Sequence, residues 1–281
     1  MAFSVTAILI AFYVLILIIF KKELHTVNRL LTCNTCLASI LYCLVQFIDY
    51  IYLLIITWDT DDQSCRWRAY FSYMSLISII YSYVLQIISR FFFINLYEKY
   101  RWLISFKSHI YLILFGWIII LALPLPSIIT NDIYFRPNEL CWVLSDHILH
   151  SYYINIAYYI IPILLIIIFS ILIMKRIYSY RKTTTIQRAK KRRDRDSEIF
   201  RNIIISFGIY FLGGIPYMID QFIDSPFTYS FGVVTVTLAV NLEKLFIIYL
   251  DRDIRNIIKN YFYQTQTRVI PITLNPTFTA R

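Results

Sequence analysis

HILHSYYINIAYYIIPILLIIIFSILIM, residues 147–174, contains no Lys, Arg, Asp or Glu. Residues 175–201 follow it at once and are dense in basic side chains, among them Arg188, Lys190, Lys191, Arg192, Arg193 and Arg195. A helix crossing ~30 Å of hydrocarbon needs about 20 apolar residues, and an uncharged run of that length ending on a basic block reads as a membrane span and its flank. The rest of the chain repeats the pattern. Of 281 residues, 59% are hydrophobic and 16% charged, against roughly 45–50% and about 25% in soluble domains. Only 5 Gly and 8 Pro are available for loops. A soluble enzyme, a disordered chain and a secreted disulfide scaffold are all excluded as classes.

Six more stretches reach span length: residues 2–20, 30–57, 69–89, 110–131, 202–219 and 225–250. The fold class expected is all-α: a seven-transmembrane-helix bundle forming one domain, with residues beyond about 264 as a flexible tail. The first run is followed, not preceded, by Lys21 and Lys22, and no small-residue cleavage site closes it, so it reads as a retained span rather than a signal peptide. No repeat of 20–50 residues and no paired broken-helix segments are visible.

Charge sets the expected orientation. Lys21, Lys22 and Arg29 follow the first span, Arg90, Lys99, Arg101 and Lys107 the third, and Arg252, Arg255, Lys259, Arg268 and Arg281 the seventh. The alternate loops are acidic, with Asp59, Asp61, Asp62, Asp132, Glu139, Asp146, Asp220 and Asp224. The N-terminus is therefore expected outside and the C-terminus in the cytoplasm, in a multi-pass plasma-membrane protein. Of the five cysteines, Cys33, Cys36 and Cys43 lie in the second span and read as small apolar residues. Cys65 and Cys141 alone face the oxidising side and are expected to pair.

Seven spans, the Cys65–Cys141 pair and a set of positions within the spans resemble the rhodopsin-like (class A) G-protein-coupled receptor family over nearly the whole chain. Arg90 stands 25 residues after Cys65, where the family carries the arginine of its Asp-Arg-Tyr motif. Trp117, Pro162 and Pro216 match residues of helices four, five and six. Tyr249 resembles the last residue of Asn-Pro-x-x-Tyr, and 251–263 resembles the short amphipathic eighth helix that completes a receptor domain over 1–263, with 264–281 as tail. The departures mark a divergent branch. Ser89-Arg90-Phe91 stands for Asp-Arg-Tyr, Leu245-Phe246 for Asn-Pro, and Gly213-Gly214-Ile215-Pro216 for Cys-Trp-x-Pro. Ala38 and Ser39 occupy the place of the sodium-binding aspartate.

The resemblance implies coupling to a heterotrimeric G protein through Ser89, Arg90 and Phe91, with helix six moving. Losing the acidic neighbour of Arg90 is expected to loosen its restraint and raise basal activity. Pro216 removes a helix hydrogen bond and Gly213 and Gly214 remove side-chain support. These three read either as a hinge or as small-residue packing, with Tyr210 as the packing residue that slides. The basic block 175–201 is expected to contact the G protein or anionic lipid; nucleic acid is excluded by seven spans.

The ligand is expected between the outer halves of the helices, among Asp49, Ser72, Tyr73, Asn155, Tyr217, Gln221 and Thr235. Ser72 stands where amine receptors of the family carry aspartate, and Ala239 where opsins carry the retinal lysine, so neither a classical monoamine nor retinal is implied and no cofactor is expected. Lys244 and Glu243 are expected to snorkel or pair locally. Asp49 reads either as a headgroup-level residue or as a counter-ion for a cationic ligand. His147 and His150 are too few for a metal site. The alternative to a receptor is a seven-helix transporter or channel subunit without G-protein coupling, which would need charges lining a path. An intramembrane enzyme would need a catalytic constellation at membrane depth, and none is seen.

Overall fold

In lipid every backbone N–H and C=O must be satisfied within the segment, so apolar runs of this length can only be helices. The computed structural model describes residues 1–20, 26–55, 62–97, 99–130, 133–134, 141–143, 148–183, 187–223, 226–251 and 254–256. Seven helices in it are long and apolar enough to cross a membrane. They are α1 (Ala2–Phe20), α2 (Val27–Ile55), α3 (Asp62–Phe91), α4 (Phe106–Ala122), α5 (Ile161–Thr183), α6 (Gln187–Ile223) and α7 (Pro226–Leu250). A short antiparallel ladder pairs β1 (Ile133–Tyr134) with β2 (Trp142–Val143) between α4 and α5.

The helices outrun the apolar stretches because hydrogen bonding does not stop at the lipid boundary. The largest difference concerns the basic block 175–201, expected as a loop. α5 continues to Thr183 and α6 starts at Gln187, so both helices project beyond the hydrocarbon. Two π-helical turns extend the set: Phe92–Leu96 continues α3, and Asn155–Ile160 joins the short helix Ile148–Ile154 to α5. Of the expected eighth helix, 251–263, only Ile254–Asn256 is described as a helical turn, with Asp251 Oδ1 accepting the Ile254 N–H at 3.2 Å. The remainder, and the tail 264–281, lie outside the described residues.

α3 is the most enclosed helix, and its composition explains how. Serines on it return their hydroxyls to their own backbone: Ser75 donates to the Ser72 carbonyl (2.9 Å), Ser78 to Ser75 (2.6 Å) and Ser82 to Ile79 (2.7 Å). A small residue whose polar atom is satisfied locally can face a neighbouring helix without a buried orphan. Around α3 the core gathers Tyr42, Tyr73, Tyr83, Tyr158 and Ile173, all almost fully buried. A second cluster packs Ala11, Val14 and Ile18 of α1 on Cys36 of α2 and Ile254. Trp117 Nε1 donates to Asn34 Oδ1 at 2.9 Å, tying α4 to α2. Pro124 and Pro126 break the end of α4, and tyrosines serve carbonyls exposed there. Tyr70 donates to the Leu121 carbonyl at 3.0 Å, and Tyr153 and Tyr158 to that of Leu123 at 2.8 and 3.3 Å.

α6 runs through Pro216 without interruption and packs closely on α7. A Cβ at Gly213 would overlap Ala239 Cβ and stand 2.9 Å from the Thr235 carbonyl oxygen. At Gly232 it would meet Tyr217 Cα at 2.8 Å and its nitrogen at 2.9 Å. At Gly214 it meets nothing within 4 Å. Gly213 is therefore a packing residue, whereas Gly214 has no such need. Backbone cannot swing aside as a side chain can, so Gly232→Val is expected to cost roughly 2 kcal/mol and lower the thermal midpoint in detergent. Gly214→Ala should leave the midpoint unchanged or raise it, since alanine is the better helix former by about 1 kcal/mol. Equal losses in both variants would contradict this packing.

Candidate functional site

At one end of the bundle three consecutive residues reach three different neighbours. Ser89 turns to α4, where its Oγ is 2.9 Å from His109 Nε2. His109 Nδ1 is 3.0 Å from the Ser105 carbonyl oxygen, which only accepts. Nδ1 therefore carries a proton, and in the neutral ring the Ser89 hydroxyl donates to Nε2. Ser105 also caps α4, its Oγ accepting the Ser108 N–H at 3.2 Å. Phe91 turns to α5, its ring centroid 5.1 Å from that of Phe169.

Arg90, 2% exposed, turns to α6. Its Nη1 is 3.8 Å from Asp196 Oδ1 and its guanidinium lies 5.6 Å from the Phe93 ring centroid. A buried arginine in a bundle needs a carboxylate or water. The sequence reading left it without its neighbouring acid and expected a weak restraint. The structure supplies the acid from another helix. Asp196 was missed because it sits inside a basic block; the signal for it is its place on α6, 20 residues before Pro216, which matters only once α6 is known to begin at Gln187. At the same end, Arg29 at the start of α2 makes a two-pronged pair with Asp251 after α7, Nη2 to Oδ1 being 2.7 Å. Tyr249 is two-thirds exposed and faces outward. It is not brought to this group; its carbonyl accepts from Arg255 Nη1 at 3.1 Å.

Between the middle of the bundle and its Arg90 end lies a buried charge pair. Glu243 and Lys244 are 1% and 0% exposed, so the snorkelling alternative is overturned and the local pair stands. The physical reason is enclosure: α1 and α6 pack along α7, Thr35 of α2 meets Lys244, and Tyr83 of α3 lies beside Glu243. Lys244 Nζ donates to Glu243 Oε1 at 3.1 Å and reaches the Thr35 carbonyl of α2 at 3.5 Å. Its 2.8 Å approach to Oε2 is a charge contact outside hydrogen-bond geometry. The Tyr83 hydroxyl of α3 faces the Glu243 carboxylate. The Tyr83 ring packs on Phe207 (5.7 Å) and Tyr210 (6.4 Å) of α6, and the Tyr210 hydroxyl reaches the Leu76 carbonyl at 3.5 Å. Tyr210 thus joins α6 to α3 on the disulfide side of the Arg90–Asp196 contact.

The opposite end carries the disulfide. Cys65 and Cys141 are bonded, pinning the strand pair to the start of α3. Below it, Ser72 Oγ donates to Asp49 Oδ2 at 2.7 Å, joining α3 to α2. Asp49 is 3% exposed, so its carboxylate is enclosed by neighbouring helices rather than open to solvent. Tyr73 is enclosed against the Tyr158 ring at 5.7 Å. Asn155 and Tyr217 are buried on the π-helical turn before α5 and on α6. Thr235, half-buried, donates back to the Gly232 carbonyl at 2.9 Å. The side chain of Gln221 lies outside the described residues, as does His147. The structure thus brings Asp49 and Ser72 into direct contact. Among the described residues no group of three or more His, Cys, Asp or Glu stands close enough to hold a metal ion.

The sequence model of the family described as "7 transmembrane receptor (rhodopsin family)" matches residues 11–248. No curated protein matches the chain.

Proposed function

The chain belongs to the rhodopsin family of seven-transmembrane receptors, and from that premise we propose that it senses an extracellular ligand and activates a heterotrimeric G protein. The N-terminus lies outside the plasma membrane in this reading, because the basic residues then fall on the cytoplasmic side. Ligand enters at the disulfide end. The G protein meets the end that carries Arg90, the adjoining ends of α5 and α6, and the basic block. Ser89, Arg90 and Phe91 form the coupling residues; Tyr210, Gly213, Gly214 and Pro216 lie on the moving helix, and Tyr249 on its neighbour.

The observation that carries the proposal is the Arg90–Asp196 contact between α3 and α6. It restrains α6 in the resting state, and its release lets the Arg90 end of α6 move outward and frees Arg90 for the G protein. Gly213 is held against α7, so bending falls at Gly214, where a Cβ would meet no neighbour, two residues before Pro216, whose ring removes a helix hydrogen bond.

A partly exposed pair of this kind contributes about 1 kcal/mol, and that shifts a two-state equilibrium roughly fivefold. Asp196→Ala is therefore expected to raise ligand-independent recruitment of engineered Gα subunits several-fold over wild type. Arg90→Ala is expected to reduce it to the level of receptor-free membranes. Both are read in the same cells at matched surface expression. Variants indistinguishable from wild type would contradict the proposal and favour a seven-helix protein that does not couple.

A further inference from the structure

Asp49 is a buried carboxylate with no ion pair among the described residues. Ser72 Oγ is its hydrogen-bond donor, and among the described residues no cation lies within ion-pair distance of it. Arg68 acts on it through its charge without forming an ion pair with it. That guanidinium is engaged elsewhere: it lies 4.3 Å over the Tyr52 ring, and its Nη2 reaches Cys141 Sγ at 3.5 Å. One turn along α2, on the same face, Gln46 is 7% exposed and its Oε1 has no hydrogen-bond partner. A carboxylate taken out of water must bind a proton or a cation, and the adjacent amide oxygen is an acceptor that also lacks a donor. A cation bearing N–H bonds would serve both groups at once.

The position suits an incoming ligand. Ser72 lies seven residues below Cys65 on α3, about 10 Å along the helix. Asp49 is therefore close to the disulfide end and far from Arg90. The donor set selects against a divalent metal, which would need several carboxylates or histidines. A compact ammonium satisfies it: one N–H to Asp49 and another to Gln46.

We propose that Asp49, oriented by Ser72 and assisted by Gln46, is the counter-ion for an ammonium group of the extracellular ligand, at a different place from the helix-three aspartate of amine receptors. The proposal rests on the receptor reading for its biological meaning, but its test does not involve a G protein, so the two fail separately.

The test uses the full-length protein in lipid nanodiscs and reads the thermal midpoint. The probes are phenethylamine, its neutral counterpart 2-phenylethanol, and sodium chloride against choline chloride. Phenethylamine is expected to raise the midpoint more than the alcohol, with an apparent affinity that falls about tenfold or more in Asp49→Asn. As a control independent of any ligand, Gln46→Lys supplies an ammonium from one turn away. It is expected to raise the midpoint when Asp49 is present and to lower it in the Asp49→Asn background. Amine and alcohol acting alike, or the amine acting equally on wild type and Asp49→Asn, would overturn the proposal. So would an Asp49-dependent shift produced by sodium and not by the amine, which would assign the site to an inorganic ion.

Discussion

Lys244→Met is expected to remove most of the folded protein. The substitution leaves the Glu243 carboxylate 1% exposed among helices with its cation gone. Breaking a buried pair by deleting one partner costs about 3–5 kcal/mol, because the remaining charge is uncompensated, and that approaches the whole stability of a typical domain. Thr35 offers only a carbonyl on that side, an acceptor that cannot replace an ammonium. Glu243→Gln strands Lys244 and should be comparably damaging. The double variant Glu243→Gln/Lys244→Met removes both charges and nearly preserves volume, so it should recover much of the loss. Size-exclusion profiles of detergent extracts and the thermal midpoint read this directly. Additive damage in the double variant would show that the two residues act independently and that the pair is not the structural unit described.

Cys65→Ser comes next in size. The bond joins residues 76 apart in sequence, and closing a loop of that length restricts the unfolded chain by about 4 kcal/mol in the chain-entropy account. Spans already inserted in lipid stay helical without it, so the loss should appear as a lowered midpoint and poor surface delivery rather than failed insertion. Cys141→Ser should match it, and the double variant should be no worse than either single one. Ligand sensitivity should suffer as well, since Arg68 leans on Cys141 just above Asp49 and Ser72. Unequal single variants would mean that one cysteine has a role outside the bond.

The spans and the disulfide were legible because each rests on local composition: run length, flanking charge and the side on which a cysteine falls. Asp196 was not, because its role depends on how far α6 extends past the hydrocarbon, and hydropathy is blind to a helix that continues as a basic segment. For Glu243 and Lys244 the sequence leaves both snorkelling and local pairing open, because nothing local records how α1 and α6 pack along α7 at that height. Asp49 and Ser72 were both singled out, but their contact joins residues 23 apart on two helices, and only the packing of α2 on α3 gives it. Gly213 had two readings, hinge and packing, and only the proximity of Thr235 and Ala239 separates it from Gly214.

If the chain couples as proposed, α6 parts from α3 at the Arg90 end when a G protein binds. Spin labels at Trp102→Cys and Arg201→Cys measure it. Both native side chains are exposed, one in the turn Arg101–Ile104 before α4 and the other on α6. The half-buried Cys33 is first replaced by alanine. The account predicts a label separation that lengthens by several ångström when nucleotide-free G protein is added, and a resting distribution in Asp196→Ala already shifted toward the longer distance. A single distribution, unchanged by G protein and by loss of Asp196, would contradict it.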